Sequence, residues 1–174
     1  MKEFLQGKWL KHPLHPILVH IPTALWPAAL LFDVLANLRS DNALVQAAFY
    51  MVLFGWGAAL VAIPAGLADW WDIKPGKPAR QLGVYHMVLN ITATVLWGIN
   101  LLLRLGDMPT ATSVGALPLA LSVVGTLILV VSGYLGGRMV YHYGIGIGRL
   151  SKGRWRKVAE RGGARVPKKE EAAG

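Results

Sequence analysis

Four long apolar stretches, separated by short polar and basic connections, constrain this fold more than any other feature of the chain. Each reaches the roughly 20 residues that an α-helix needs to cross the hydrocarbon core of a bilayer. Charged residues make up 16% of the sequence, compared with about 25% in soluble domains. We therefore expect an all-α integral membrane protein, an up-down-up-down four-helix bundle with spans at about 16–38, 43–68, 81–105 and 116–143.

The flanks of these stretches divide the chain into three parts. We expect an interfacial N-terminal segment at 1–15, a four-span domain at 16–148 and a basic tail at 149–174. Lysines precede the first span, and basic residues fill the connection between the second and third. The tail holds nine Lys or Arg against three Glu, while the two other connections have one arginine each at their edges, Arg39 and Arg104. By the positive-inside rule, both termini should be cytoplasmic.

The net charge of +9 does not indicate nucleic acid, because much of it lies in the tail beside a span. There we expect it to contact anionic lipids of the bilayer. Among the acidic residues, Asp33 lies far enough along the first span to fall near the outer surface of the membrane, where it needs no functional role. The chain has no cysteine, which excludes disulfides, iron–sulfur clusters and thiolate zinc sites within it.

The histidines are concentrated at one side of the predicted membrane. The opening run His12–Pro22 contains three of the five, and the last of these, His20, lies about one turn inside the first span. His86 lies at a similar depth in the third span, and His142 lies in the last turn of the fourth. Asp69 closes the second span on the same side. Ionisable groups at such depths usually face the interior of a bundle and often mark a functional site.

Two imidazoles from facing helices at equal depth are what haem b requires, because its iron takes one axial nitrogen from each side. We expect His20 and His86 to be these ligands, with His15 or His142 able to replace either. Asn90 lies on the same helical face as His86 and could support a bound imidazole through a hydrogen bond. The haem would then lie near the cytoplasmic leaflet.

Two alternatives to haem stay open. Several histidines, with Asp69 as a ligand or as a hydrogen-bonding partner of one, could bind Zn, Cu or Fe through nitrogen and oxygen atoms. The histidines could instead lie among lipid headgroups, while small residues on the second and fourth spans pack against other subunits. The chain would in that case be a cofactor-free structural or assembly subunit.

Several motifs resemble a family of bacterial four-span membrane proteins catalogued as domain of unknown function 2231. The resemblance covers about residues 10–148, and the opening histidine–proline run is its most specific part. The motifs are His12-Pro-Leu-His15-Pro-Ile-Leu-Val-His20-Ile-Pro22, Gly66-Leu-Ala-Asp69, His86, Gly136-Gly-Arg-Met-Val-Tyr141 and Gly144-Ile-Gly146-Ile.

The family is similar to membrane b-type cytochromes, and its relatives occur beside or fused to redox domains such as Rieske modules. The resemblance implies a multi-pass protein of the bacterial cytoplasmic membrane that binds haem b and transfers electrons. We expect a small cytochrome or an accessory subunit of a respiratory or redox complex, associated with other membrane subunits or a second copy, more than a stand-alone enzyme.

Overall fold

Four long helices account for most of the chain in the computed structural model, which describes residues 1–147 and 151–164. Each of the four is long and apolar enough to cross a membrane, and they pack in sequence as a bundle. The predicted all-helical four-span fold is therefore confirmed. The long helices are α2 (Leu14–Arg39), α3 (Asn42–Trp71), α4 (Pro78–Arg104) and α5 (Ala116–Tyr141), flanked by the short helices α1 (Lys2–Leu5) and α6 (Lys152–Arg161).

Helix α2 begins at Leu14, two residues before the expected start of the first span. Pro13 is its N-cap residue, and Pro16 lies in the first turn, where its missing N–H group breaks no helical hydrogen bond. The early start places His15 on the helix, with its position fixed by the helical backbone. The first turns of α2 and α4 and the last turns of α3 and α5 lie at the same end of the bundle, which we call the histidine end.

The N-terminal segment lies against the end of α3. The side-chain amide of Gln6 donates a hydrogen bond to the carbonyl oxygen of Ala68 at 3.0 Å and also contacts the carboxylate of Asp72. Lys2 forms an ion pair with the same carboxylate. These contacts satisfy one of the carbonyls that the last turn of a helix leaves without a partner, so the segment is anchored at the histidine end.

The four spans form two similar hairpins, α2–α3 and α4–α5. Distinctive residues of the first hairpin have identical counterparts in the second. His86 and Trp97 lie 71 positions after His15 and Trp26. Gly125 and Gly136 lie 70 positions after Gly55 and Gly66. Contacts within each hairpin are more extensive than those between hairpins, so each hairpin is one structural repeat.

Equivalent residues of the two repeats meet each other at the centre of the bundle. Trp26 and Trp97 are both buried, and their rings stack with centroids 5.3 Å apart and planes 14° from parallel. Each indole lies over the glycine of its own hairpin, since a Cβ atom on Gly55 or Gly125 would lie 2.5 or 2.6 Å from the indole nitrogen. This arrangement is that of a pseudo-two-fold axis running along the bundle, as in membrane proteins built from parallel repeats.

Two buried charges at equivalent positions of the repeats also meet, toward the end of the bundle opposite the histidines. Asp33 and Arg104 are also 71 positions apart, and they form a bidentate pair with nitrogen–oxygen distances of 2.6 and 2.7 Å. Ser122 donates to the carboxylate at 2.9 Å, and the guanidinium also donates to Asn100 at 2.6 Å. Both charged side chains are almost fully buried.

Asp33 and Arg104 lie toward the C-terminal ends of α2 and α4, as their depth along the helices predicted. Depth alone did not predict the direction of the two side chains. Both point into the bundle, where they neutralise each other.

Removing one charge of this pair should destabilise the protein. In Asp33→Ala or Arg104→Ala the remaining charge is buried without an opposite charge, and a loss of about 3–5 kcal/mol in the free energy of unfolding is expected. The double variant Asp33→Leu/Arg104→Met removes both charges and should recover much of that loss. Reversible unfolding in mixed detergent micelles measures these values, and losses in the double variant equal to the sum of the singles would contradict the pairing.

Candidate histidine site

Two imidazoles face each other across the pseudo-two-fold axis at the histidine end. The ring centroids of His15 on α2 and His86 on α4 are 6.4 Å apart, and their planes are nearly perpendicular at 87°. Both side chains are half-buried within the bundle. The two rings come from different hairpins, so they lie on the interface between the repeats.

Each imidazole is held by a backbone carbonyl of its own hairpin. Nδ1 of His15 lies 3.0 Å from the carbonyl oxygen of Ala62, and Nδ1 of His86 lies 2.8 Å from that of Ser132. A carbonyl oxygen only accepts, so each Nδ1 carries the hydrogen and each Nε2 keeps its lone pair. A histidine that binds a metal through one nitrogen and donates from the other to a carbonyl has this arrangement.

A glycine provides the space for each ring. A Cβ atom on Gly66 would lie 2.7 Å from Cε1 of His15, and one on Gly136 would lie 3.0 Å from Cε1 of His86. Real Cβ contacts essentially never reach the first distance, and the second is tighter than most. The repeated glycines are therefore required by the imidazoles that pack on them.

His86 has additional polar neighbours. Nδ2 of Asn90 lies 2.7 Å from the carbonyl oxygen of His86, 2.6 Å from Oγ of Ser132 and 3.1 Å from Nε2 of His86. An amide nitrogen has two hydrogens, and the two shorter contacts account for both. The Nε2 lone pair of His86 is consequently left without a full hydrogen bond, while the ring is fixed on several sides.

The structure separates the other predicted site residues from this pair. His20 is exposed on the outer face of α2, and its Nδ1 bonds to the carbonyl of Pro16 on the same helix. His142 is exposed and contacts only the ring of Tyr143 among the described aromatic residues, at 4.6 Å. His12 is also exposed. Asp69 is half-buried near the end of α3, and its neighbour Asp72 is the one paired with lysine.

The predicted pair His20 and His86 is thus not brought together, whereas the reserve residue His15 takes the position opposite His86. Depth along the helices favours His20 because the predicted first span begins at Pro16, beyond His15. The sequence signal that identifies the histidine facing His86 is the 71-residue repeat, since it relates His86 to His15 and relates no histidine to His20. In the described part of the chain, no group of three or more His, Asp or Glu is arranged to hold a metal ion.

Comparison with known families agrees with this fold. A model of a predicted membrane protein family, DUF2231, matches residues 11–149. The chain belongs to the DUF2231 family. The matched region contains both hairpins of this DUF2231 protein and both facing histidines. No curated protein and no solved structure matches the chain.

Adding a methyl group under either ring should disturb the site. Gly66→Ala should displace the His15 ring from Ala62 and reduce the free energy of unfolding by about 1–3 kcal/mol. Gly136→Ala should act on His86 in the same direction but more weakly, because its contact is longer.

The matched controls are Gly57→Ala on α3 and Gly133→Ala on α5, where a Cβ meets nothing within 4 Å. They should be unchanged or up to about 1 kcal/mol more stable, because alanine favours a helix over glycine. Unfolding in mixed micelles compares all four variants. Equal effects at the site and control positions would show that the imidazoles do not pack on these glycines.

Proposed function

We propose that this protein is a small membrane b-type cytochrome, or an accessory haem-binding subunit of a redox complex, in which His15 and His86 would bind the haem iron. One observation carries the proposal: two imidazoles from different repeats face each other at 6.4 Å, each with Nδ1 bonded to a carbonyl and Nε2 left as a lone pair.

The donor set suits haem better than a free metal ion. Zinc, copper and iron sites in proteins usually use three or four protein ligands, and the described residues offer two imidazoles without a third ligand grouped beside them. A porphyrin supplies four nitrogen ligands itself, so two opposed imidazoles complete the coordination of its iron. Haem bound there would supply one-electron exchange at the iron.

The position of the two rings and the small residues beside them also favour the proposal. The imidazoles lie on the interface between the hairpins, where contacts are sparser than within each hairpin. Small residues flank the rings on α3 and α5, namely Ala62, Ala65, Gly66, Ser132 and Gly136. His15 and His86 would hold the haem from opposite hairpins, and Asn90 would orient His86.

The proposal includes a location and partners. The protein would lie in the bacterial cytoplasmic membrane with both termini in the cytoplasm, as the distribution of lysine and arginine favours. The described part of the basic tail contains helix α6, Lys152–Arg161, which would contact anionic lipids. Electron transfer also requires donors and acceptors, so we propose association with other membrane subunits or a second copy.

A cofactor-free structural subunit is the second candidate, and one observation favours it. Protein groups already provide hydrogen-bond partners for Nδ1 and the backbone carbonyl of His86, through Ser132 and Asn90. Under this alternative the imidazoles would only join the two hairpins.

Optical and electron paramagnetic resonance spectra of the purified protein separate the two candidates. The proposal predicts a b-type reduced-minus-oxidised spectrum with a low-spin signal from two histidine ligands. His15→Ala and His86→Ala should each reduce that low-spin species at least tenfold, because alanine has no side-chain nitrogen that could bind the iron in place of the histidine. His12→Ala, His20→Ala and His142→Ala should retain it. A wild-type protein purified without haem supports the structural alternative.

Topology is a separate prediction. A reporter that is active only in the cytoplasm should be active when fused at either terminus, and inactive when inserted after Asp107, between α4 and α5. The reason is that basic residues are concentrated beside the histidine end and within the tail, and such residues favour the cytoplasmic side. The reverse pattern of reporter activity would place the histidine end on the other side of the membrane.

A further inference from the structure

The two facing imidazoles are not held equally, although the repeats that carry them are related. The carbonyl contacts to Nδ1 and the glycines under the rings occur in both repeats. The residue four positions after the histidine differs: Val19 follows His15, and Asn90 follows His86. The residue that supplies the carbonyl also differs, being Ala62 in the first repeat and Ser132 in the second.

Both differences add polar groups to the side of His86. Oγ of Ser132 lies 3.0 Å from Nδ1 of His86, and Asn90 links the His86 carbonyl to the same hydroxyl. Val19 and Ala62 have no polar side-chain atoms and can make no equivalent bonds to His15. The His15 ring is therefore oriented by one hydrogen bond, whereas the His86 ring lies within a network.

The backbone adds to this inequality. His86 lies eight positions after the first residue of α4, so helical turns hold it on both sides. His15 is the second residue of α2, in a turn where backbone N–H groups lack helical partners. The connection before it contains Gly7 and Lys11 with φ angles of 71° and 54°, so regular helix does not continue on that side.

On the basis of the proposed function, we infer that His86 is the permanent ligand and that His15 is exchangeable, which makes the His15 side of the centre a binding site for a small neutral ligand. The ligand class is a diatomic molecule that binds ferrous haem, for which carbon monoxide is the probe. Asn90 and Ser132 are positioning residues, because they act through His86 and set which imidazole stays.

The first test uses the haem-loaded full-length protein. Carbon monoxide added to the reduced protein should shift its spectrum, and His15→Ala should keep its haem and bind the gas at least tenfold more tightly. The variant Val19→Asn/Ala62→Ser gives His15 the groups that hold His86, and it should bind carbon monoxide at least tenfold more weakly than wild type. A matched control, Val61→Ser, adds a hydroxyl at an exposed position of α3 and should leave the affinity unchanged.

The second test does not need haem. Hydrogen–deuterium exchange at Cε1 of each imidazole, measured by mass spectrometry on haem-free protein in micelles, should be at least tenfold slower for His86 than for His15. Val19→Asn/Ala62→Ser should bring the two rates within about threefold, because both rings would then be oriented by equivalent hydrogen bonds.

These outcomes distinguish the inference from the function on which it rests. Wild-type protein that holds no haem overturns the proposed function, and the exchange ratio then still decides whether the imidazoles are held unequally. Equal exchange rates overturn the inference whether or not haem is present. With haem present, an unchanged carbon monoxide affinity in Val19→Asn/Ala62→Ser also overturns it, as does loss of haem in His15→Ala with retention in His86→Ala.

Discussion

The stack of Trp26 on Trp97 is the contact on which the arrangement of the bundle depends. It joins equivalent residues of the two hairpins at the centre of the membrane-spanning region, with centroids 5.3 Å apart. Large aromatic rings can meet there because Gly55 and Gly125 leave the space that a side chain would fill. Close packing of this kind drives helix association in lipid, where the hydrophobic effect contributes little between helices.

This central contact fixes what lies on either side of it along the pseudo-two-fold axis. Toward one end, equivalent positions carry Asp33 and Arg104, which form a buried ion pair. Toward the other, they carry His15 and His86, which face each other. An ion pair between equivalent positions requires that the two repeats differ in sequence, because identical charges on the axis would repel. The histidine pair has no such requirement, and both repeats keep the same residue.

Positions at which the two repeats carry different side chains indicate which residues belong to the histidine site. Where two related positions share a backbone environment, a change of side chain is not explained by the fold alone. Asn90 and Ser132 replace the apolar Val19 and Ala62 of the first repeat, and both contact His86. The polar groups thus belong to the site, and they distinguish the two imidazoles.

Much of the fold could be predicted from the sequence, because hydrophobic length and charge distribution report directly on membrane spans. The number of spans and the family were predicted correctly, and the ends of the long helices lie within a few residues of expectation. Depth along a helix also placed the histidines at one end. Depth does not report the direction of a side chain around the helix axis, so it favoured His20 over His15 and did not reveal that Asp33 and Arg104 point inward.

The missing information was present in the sequence as the 71-residue repeat. Equivalent positions of two repeats related by an axis meet only if they point toward that axis, and three such pairs do so here. The repeat is difficult to see because few residues are identical between the two hairpins. At most other positions the hairpins carry different apolar side chains, which are equally compatible with a membrane-spanning helix. The glycines under the rings and indoles are its clearest trace.

The most direct test of the account is pulsed electron paramagnetic resonance of the ferric protein with all histidines labelled with ¹⁵N. The account predicts couplings from two histidine nitrogens at the iron in the wild type, and from one in His15→Ala. Two histidine couplings in His15→Ala, or none in the wild type, would contradict the assignment of His15 and His86 as the facing ligands.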